Sequence, residues 1–140
     1  MIGAEAINHI GIAVKSIKAC RSFYEDVLGA RYEGEETVTD QKVRVAFFLI
    51  GPGGHEVRLE LLEPTSEDSP IARHINKRGE GLHHIAYTVR DINKRLEELR
   101  KAGVQLIDDT PRPGAHHSLI AFLHPRSSAG VLTEICQPER

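Results

Sequence analysis

Apolar residues recur along this chain in two rhythms. In residues 7–14, Ile10, Ile12 and Val14 alternate with His9, Gly11 and Ala13, the period of a strand with one packing face. Ser16 then has helix-cap chemistry. Ile17, Cys20, Phe23, Tyr24, Val27 and Leu28 follow at helical spacing, up to a stop at Gly29. The pattern predicts strands over 43–50 and 56–62, with a turn at Gly51-Pro52-Gly53-Gly54 between them. Ser69-Pro70 starts a short helix that ends near Gly79.

The pattern then begins again. A strand is predicted over 84–89, and Asp91 caps a helix with Ile92, Leu96, Leu99 and Ala102 on one face, stopped by Gly103. Strands follow over 118–123 and 131–135. His9 recurs as His84 and Ile17 as Ile92 at an offset of 75, and Gly29 as Gly103 and Glu60 as Glu134 at 74. Unlike features sharing one offset predict an α+β chain of two tandem βαβββ modules, about 5–65 and 81–138, within a single domain 1–140.

The matched positions carry chemistry. His9, Glu60, His84 and Glu134 all fall on predicted strands. Parity puts His9 on one face with Gly11 and Ala13, and His84 on one face with Ala86 and Thr88. Small neighbours predict an open cavity beside each imidazole. A carboxylate inside an apolar strand is costly unless it is paired or binds metal. Two imidazoles and two carboxylates suit a divalent ion such as Co, Mn, Ni or Zn, with two coordination positions left for substrate. The repeat selects His84 over His83, which then faces the other side. His55 and His74 are expected in solvent. His116 and His117 lie in a loop leading into the strand over 118–123, and are candidates for substrate contact.

Composition narrows the function classes. Lys and Arg total 18 against 20 Asp and Glu, so bulk electrostatic attraction to nucleic acid or anionic membrane is not expected. No Gly-Lys-Ser/Thr follows the glycine-rich turn, and no Gly-x-Ser-x-Gly elbow is present. Cys20 and Cys136 read as free thiols. No secretory signal or membrane span is visible at the sequence level, so a cytoplasmic location is expected.

Several stretches resemble the methylmalonyl-CoA epimerases of the vicinal oxygen chelate (glyoxalase-like) superfamily. They are Asn8-His9-Ile10-Gly11-Ile12-Ala13, Leu61-Leu62-Glu63-Pro64-Thr65, Gly79-Glu80-Gly81-Leu82-His83-His84-Ile85-Ala86, and His124-Pro125 followed by Gly130-Val131-Leu132-Thr133-Glu134. The resemblance implies a cupped mixed sheet and a homodimer. It implies a divalent metal on His9, Glu60, His84 and Glu134, with Glu60 standing where some members have Gln. It implies interconversion of (2R)- and (2S)-methylmalonyl-CoA by 1,1-proton transfer through a metal-chelated enediolate, with Glu134 as one base. Some members carry a second acidic residue where this chain has Val45. Glu35, His116, His117 or a water are the alternatives for that role. Glyoxalase I shares the four-ligand plan, and a non-catalytic ligand-binding member of the superfamily is the remaining reading.

Overall fold

All three residues with cap chemistry open a helix in the computed structural model, which describes residues 2–139. The Ser16 hydroxyl accepts from the Ala19 amide at 3.2 Å and starts α1 (Ile17–Ser22). Ser69, buried, accepts from the Ile71 amide at 3.0 Å and starts α2 (Pro70–Arg78). Asp91 accepts from the Lys94 amide at 3.2 Å and starts α3 (Ile92–Lys101). Each bond satisfies an amide that the helix leaves without an internal partner. Two more caps come from distant strands: Glu63 accepts from the Ile17 amide at 2.9 Å, and Gln137 from the Ile92 amide at 2.8 Å.

The first helix is shorter than its apolar spacing predicts. After Ser22 the chain widens into a π-helical turn over Phe23–Val27, which ends as Gly29 takes φ +69°. The wider turn shifts the later apolar positions off the packed stripe. Ile17 is buried, whereas Val27 is 70% exposed.

Eight strands are formed among the described residues, and the chain divides into two compact units. The first unit is His9–His83. It holds β1 (Ala6–Ala13) from His9 onward, β2 (Arg31–Val38), β3 (Val43–Ile50) and β4 (Val57–Pro64), in the order β2-β3-β4-β1. Its ladders are antiparallel except β1–β4, which is parallel. Val14, Ile17, Ala30, Ala46, Phe48 and Leu61 form its core, with Ile12, Cys20 and Tyr24 against them.

The second unit joins residues 2–8 to 84–139. It contains β5 (Gly81–Thr88) from His84 onward, β6 (Arg112–Pro113), β7 (Leu119–Leu123) and β8 (Thr133–Gln137), in the order β6-β7-β8-β5. Again only the β5–β8 ladder is parallel. Val89, Ile92, Leu96, Leu99, Ala121, Leu123 and Ile135 form its core. The strand plan repeats as the offsets predict, but the unit boundary differs from the expected module ends. The Glu5 amide donates to the Thr88 carbonyl at 2.9 Å, which ties the start of the chain to the end of β5.

β2 carries little sequence signal. Arg31, Glu33, Glu35 and Thr37 alternate with Tyr32, Gly34, Glu36 and Val38, so neither face is clearly apolar. A charged strand at a sheet edge discourages further pairing. Its register shifts between Tyr32 and Glu35, around Gly34 at φ +101°. No helix of the described residues is long and apolar enough to cross a membrane, and Cys20 and Cys136 are both free thiols.

Candidate functional site

Each unit buries one histidine against one glutamate. In the first, Glu60 on β4 is the ladder partner of Gly11 on β1, one pleat beyond His9. The carboxylate reaches back diagonally, and Glu60 Oε2 lies 3.3 Å from His9 Nδ1. In the second, Glu134 on β8 is the ladder partner of Ala86 on β5, and its Oε1 lies 3.3 Å from His84 Nε2. All four residues are buried.

The small residues beside the histidines therefore have a different role from the expected one. Gly11 and Ala86 stand opposite the glutamates and give each carboxylate room to fold back onto its imidazole. Ala13 and Ala86 have no exposed surface, while His9 and His84 on the same faces are 5% and 6% exposed. The opposite positions, Ile10, Ile12, Ile85 and Tyr87, are half-buried.

Phe47 is the partner of Glu60 across β3–β4, and Phe122 the partner of Glu134 across β7–β8. The Phe122 ring meets His84 edge to face, with centroids 5.4 Å apart. The Arg58 guanidinium carbon lies 5.7 Å from the Phe47 centroid, and that of Arg112 lies 5.6 Å from the Phe122 centroid. These aromatic–arginine pairs were not singled out from the sequence. Phe47 and Phe122 share the offset of 75, which is the signal that would have found them.

Burial holds the His84 imidazole down at about 4. Burial likewise pushes the Glu134 carboxyl up to about 8, with Arg112 opposing the rise and Asp108 adding to it. Both shifts favour the uncharged forms, a neutral imidazole beside a protonated carboxyl. This suits a divalent cation: the imidazole offers a lone pair, and bound positive charge would restore the carboxylate.

His83 faces away from the His84 side as expected. Its ring packs at 4.8 Å on His74, which is therefore half-buried rather than solvated. His116 and His117 are exposed, both with left-handed backbone at φ 56° and 57°. Their loop is tight, since a Cβ on Gly114 would lie 2.7 Å from both Ile120 and Ser118. Left-handed backbone at two adjacent non-glycine residues is costly and is held by its surroundings.

The alternatives for a second base separate by face. Val43, Val45 and Phe47 share the face of Glu60, so β3 offers no carboxylate there. Glu35 pairs with Ala46, on the helix-packed face, where its carboxylate accepts from the Tyr32 hydroxyl at 2.9 Å. That position removes Glu35 from consideration. Its neighbour Glu36, which sequence reading passed over, is half-buried and pairs with Val45, on the face of Glu60.

Comparison with known proteins agrees with this geometry. Residues 8–122 match the glyoxalase/bleomycin resistance protein/dioxygenase superfamily. The uncharacterized protein YqjC of Bacillus subtilis is 50% identical over 133 residues, covering 95% of this chain and 92% of that one. The ethylmalonyl-CoA/methylmalonyl-CoA epimerase of Cereibacter sphaeroides is 36% identical, covering 98% of this chain and 99% of that one. A Streptomyces coelicolor methylmalonyl-CoA epimerase variant, solved in complex with 2-nitronate-propionyl-CoA, superposes with a TM-score of 0.92 at 37% identity, over 99% of this chain and 100% of that one. With a repeated βαβββ plan and a buried His–Glu pair in each repeat, the chain belongs to the glyoxalase/bleomycin resistance protein/dioxygenase superfamily, and within it to the family of the methylmalonyl-CoA epimerases.

Proposed function

We propose that this protein interconverts (2R)- and (2S)-methylmalonyl-CoA, with His9, Glu60, His84 and Glu134 holding one divalent metal ion. The observation that carries this reading is the buried His–Glu pair repeated at matched positions of the two units. A lone buried pair of this kind is often structural. Two, carried by the same strands of a repeated plan, supply the N2O2 donor set that Co, Mn, Ni or Zn accepts. The two units then act as one functional domain.

A divalent ion bound there supplies Lewis acidity toward the oxygens flanking the substrate α-carbon. The chain's own residues do the rest. The α-hydrogen of a malonyl thioester is acidified by the thioester and carboxylate carbonyls. Glu134, once ionised, takes that proton on one face, and its buried setting keeps water from competing. Inversion needs a proton delivered to the opposite face. Glu36 stands where the first unit offers a carboxylate beside Val45. His116 and His117 border the substrate from their tight loop. The protein works in the cytoplasm as a homodimer.

The test is a coupled epimerase assay on methylmalonyl-CoA beside a lactoylglutathione assay on methylglyoxal with glutathione, each before and after chelation. Turnover of methylmalonyl-CoA that chelation abolishes and added divalent metal restores is expected. Turnover of the hemithioacetal alone would reassign the protein to glyoxalase chemistry. Ligand binding without either turnover would make it a non-catalytic member.

A further inference from the structure

Arg112 is set beside the acid–base carboxylate in a way that the proton transfer itself does not require. It lies on β6, paired with Ile120, so its side chain shares a face with Ile120 and Phe122. Its guanidinium sits over the Phe122 ring, 5.6 Å from the centroid. Its Nε lies 3.5 Å from Asp108 Oδ1, and Asp108 is itself fixed by accepting from the Phe122 amide at 2.8 Å. Nε is buried and makes no hydrogen bond among the described residues, while the side chain as a whole remains 41% exposed. A guanidinium braced at its stem, with its far end reaching solvent, is arranged to receive an anion from outside.

The ring it covers belongs to the ladder partner of Glu134, which places Arg112 on the face of the carboxylate that handles the α-proton. Building on the epimerase reading above, we infer that Arg112 binds the free carboxylate of the acyl group and so selects dicarboxylic acyl thioesters over monocarboxylic ones. That carboxylate is one bond from the α-carbon. The phosphates of coenzyme A lie at the far end of the pantetheine arm, on the order of 15 Å away at about 1.2 Å of reach per bond. A cation close to Glu134 thus meets the acyl carboxylate and not the phosphates. Arg58 in the other unit also lies over a phenylalanine, but there the carboxylate of Glu33 faces the terminal Nη2 at 3.8 Å, whereas Asp108 faces the stem Nε of Arg112, and the Arg58 side chain is less exposed.

The experiment is calorimetric titration of metal-loaded wild type, Arg112→Met and Arg112→Lys with malonyl-CoA and with propionyl-CoA, which carries a methyl group where malonyl-CoA carries the carboxylate. The Met variant is expected to bind malonyl-CoA about tenfold to a hundredfold more weakly, the range for losing a charged hydrogen bond, and propionyl-CoA as the wild type does. The Lys variant should fall between them for malonyl-CoA, since it keeps the charge but not the fork. Unchanged propionyl-CoA affinity reports that each variant is folded. Equal weakening toward both thioesters, or no weakening toward malonyl-CoA, overturns the inference. Failure of the epimerase reading is seen separately, as wild-type protein that binds malonyl-CoA without turning over methylmalonyl-CoA. Wild type that does not bind malonyl-CoA ends both.

Discussion

Phe122 and Glu134 are direct partners across the β7–β8 ladder, and Phe47 and Glu60 repeat that relationship across β3–β4. Each ring stands beside a carboxylate that a strand interior would otherwise reject. Phe122 also meets the His84 ring at an interplanar angle of 83°. It therefore fixes both members of a pair, by packing on one and edge contact with the other.

Phe122→Ala should lose about 3–5 kcal/mol of unfolding free energy in urea titration, the usual cost of emptying a buried aromatic site. Phe122→Leu should recover most of that stability without recovering the edge contact to His84. Metal affinity should stay below wild type in the Leu variant, because a ligand's orientation depends on what braces it. Wild-type metal affinity in Phe122→Leu would show that the ring does not orient His84.

Glu134→Gln removes the proton acceptor while keeping nearly the same volume. Exchange of the α-proton of methylmalonyl-CoA with deuterated water, followed by NMR, should fall by at least about a thousandfold, in line with loss of a positioned base and a metal ligand together. Near-normal exchange in that variant would remove Glu134 from the chemistry.

The parts of the fold written in local chemistry were legible: the caps Ser16, Ser69 and Asp91, the glycine stops, and the strand over 43–50, which forms with those bounds as β3. The repeat offset led to His9, Glu60, His84 and Glu134 because a duplicated plan preserves register. What escaped depends on contacts between distant strands. β2 has no apolar face to betray it, and Glu36 differs from Glu35 only in which face a bulged ladder gives it. The role of Gly11 and Ala86 was misread for the same reason. Their small size answers to Glu60 and Glu134 across a ladder, which no one-strand pattern reveals.

Glu36→Gln tests the second face. If Glu36 delivers or accepts the proton there, the variant should still exchange the α-proton of one epimer with solvent but convert it to the other at least tenfold more slowly. Following deuterium incorporation and stereochemistry in the same sample separates the two steps. Exchange and epimerisation falling together, or neither changing, would exclude Glu36 as that group.

Glu60→Gln removes one unit of negative charge from the donor set and keeps an oxygen beside His9. Affinity for divalent ions should drop by about tenfold or more, while saturating metal restores most of the turnover. The check is activity against free metal concentration. A variant inactive at every metal concentration would mean that the carboxylate charge itself enters the reaction.

The metal-free protein should show a stability signature of the second His–Glu pair. Glu134 is raised from 4.5 to about 8 in the folded state, so the native protein keeps a proton the unfolded chain has released, and this contribution is lost as pH rises from about 4.5 to 8. His84 is lowered from 6.5 to about 4, so its contribution is present above about 6.5 and lost as pH falls toward 4. The two nearly cancel between about 4.5 and 6.5. Above that only the Glu134 effect remains, and stability should fall by about 2 kcal/mol between pH 6.5 and 8, or roughly 6 °C in Tm. Saturating divalent metal should abolish the fall by keeping the carboxylate ionised, and Glu134→Gln should lack it without metal. Thermal melts of wild type and variant across this range supply the check. A wild-type Tm that stays level or rises from 6.5 to 8 without metal would contradict a protonated Glu134.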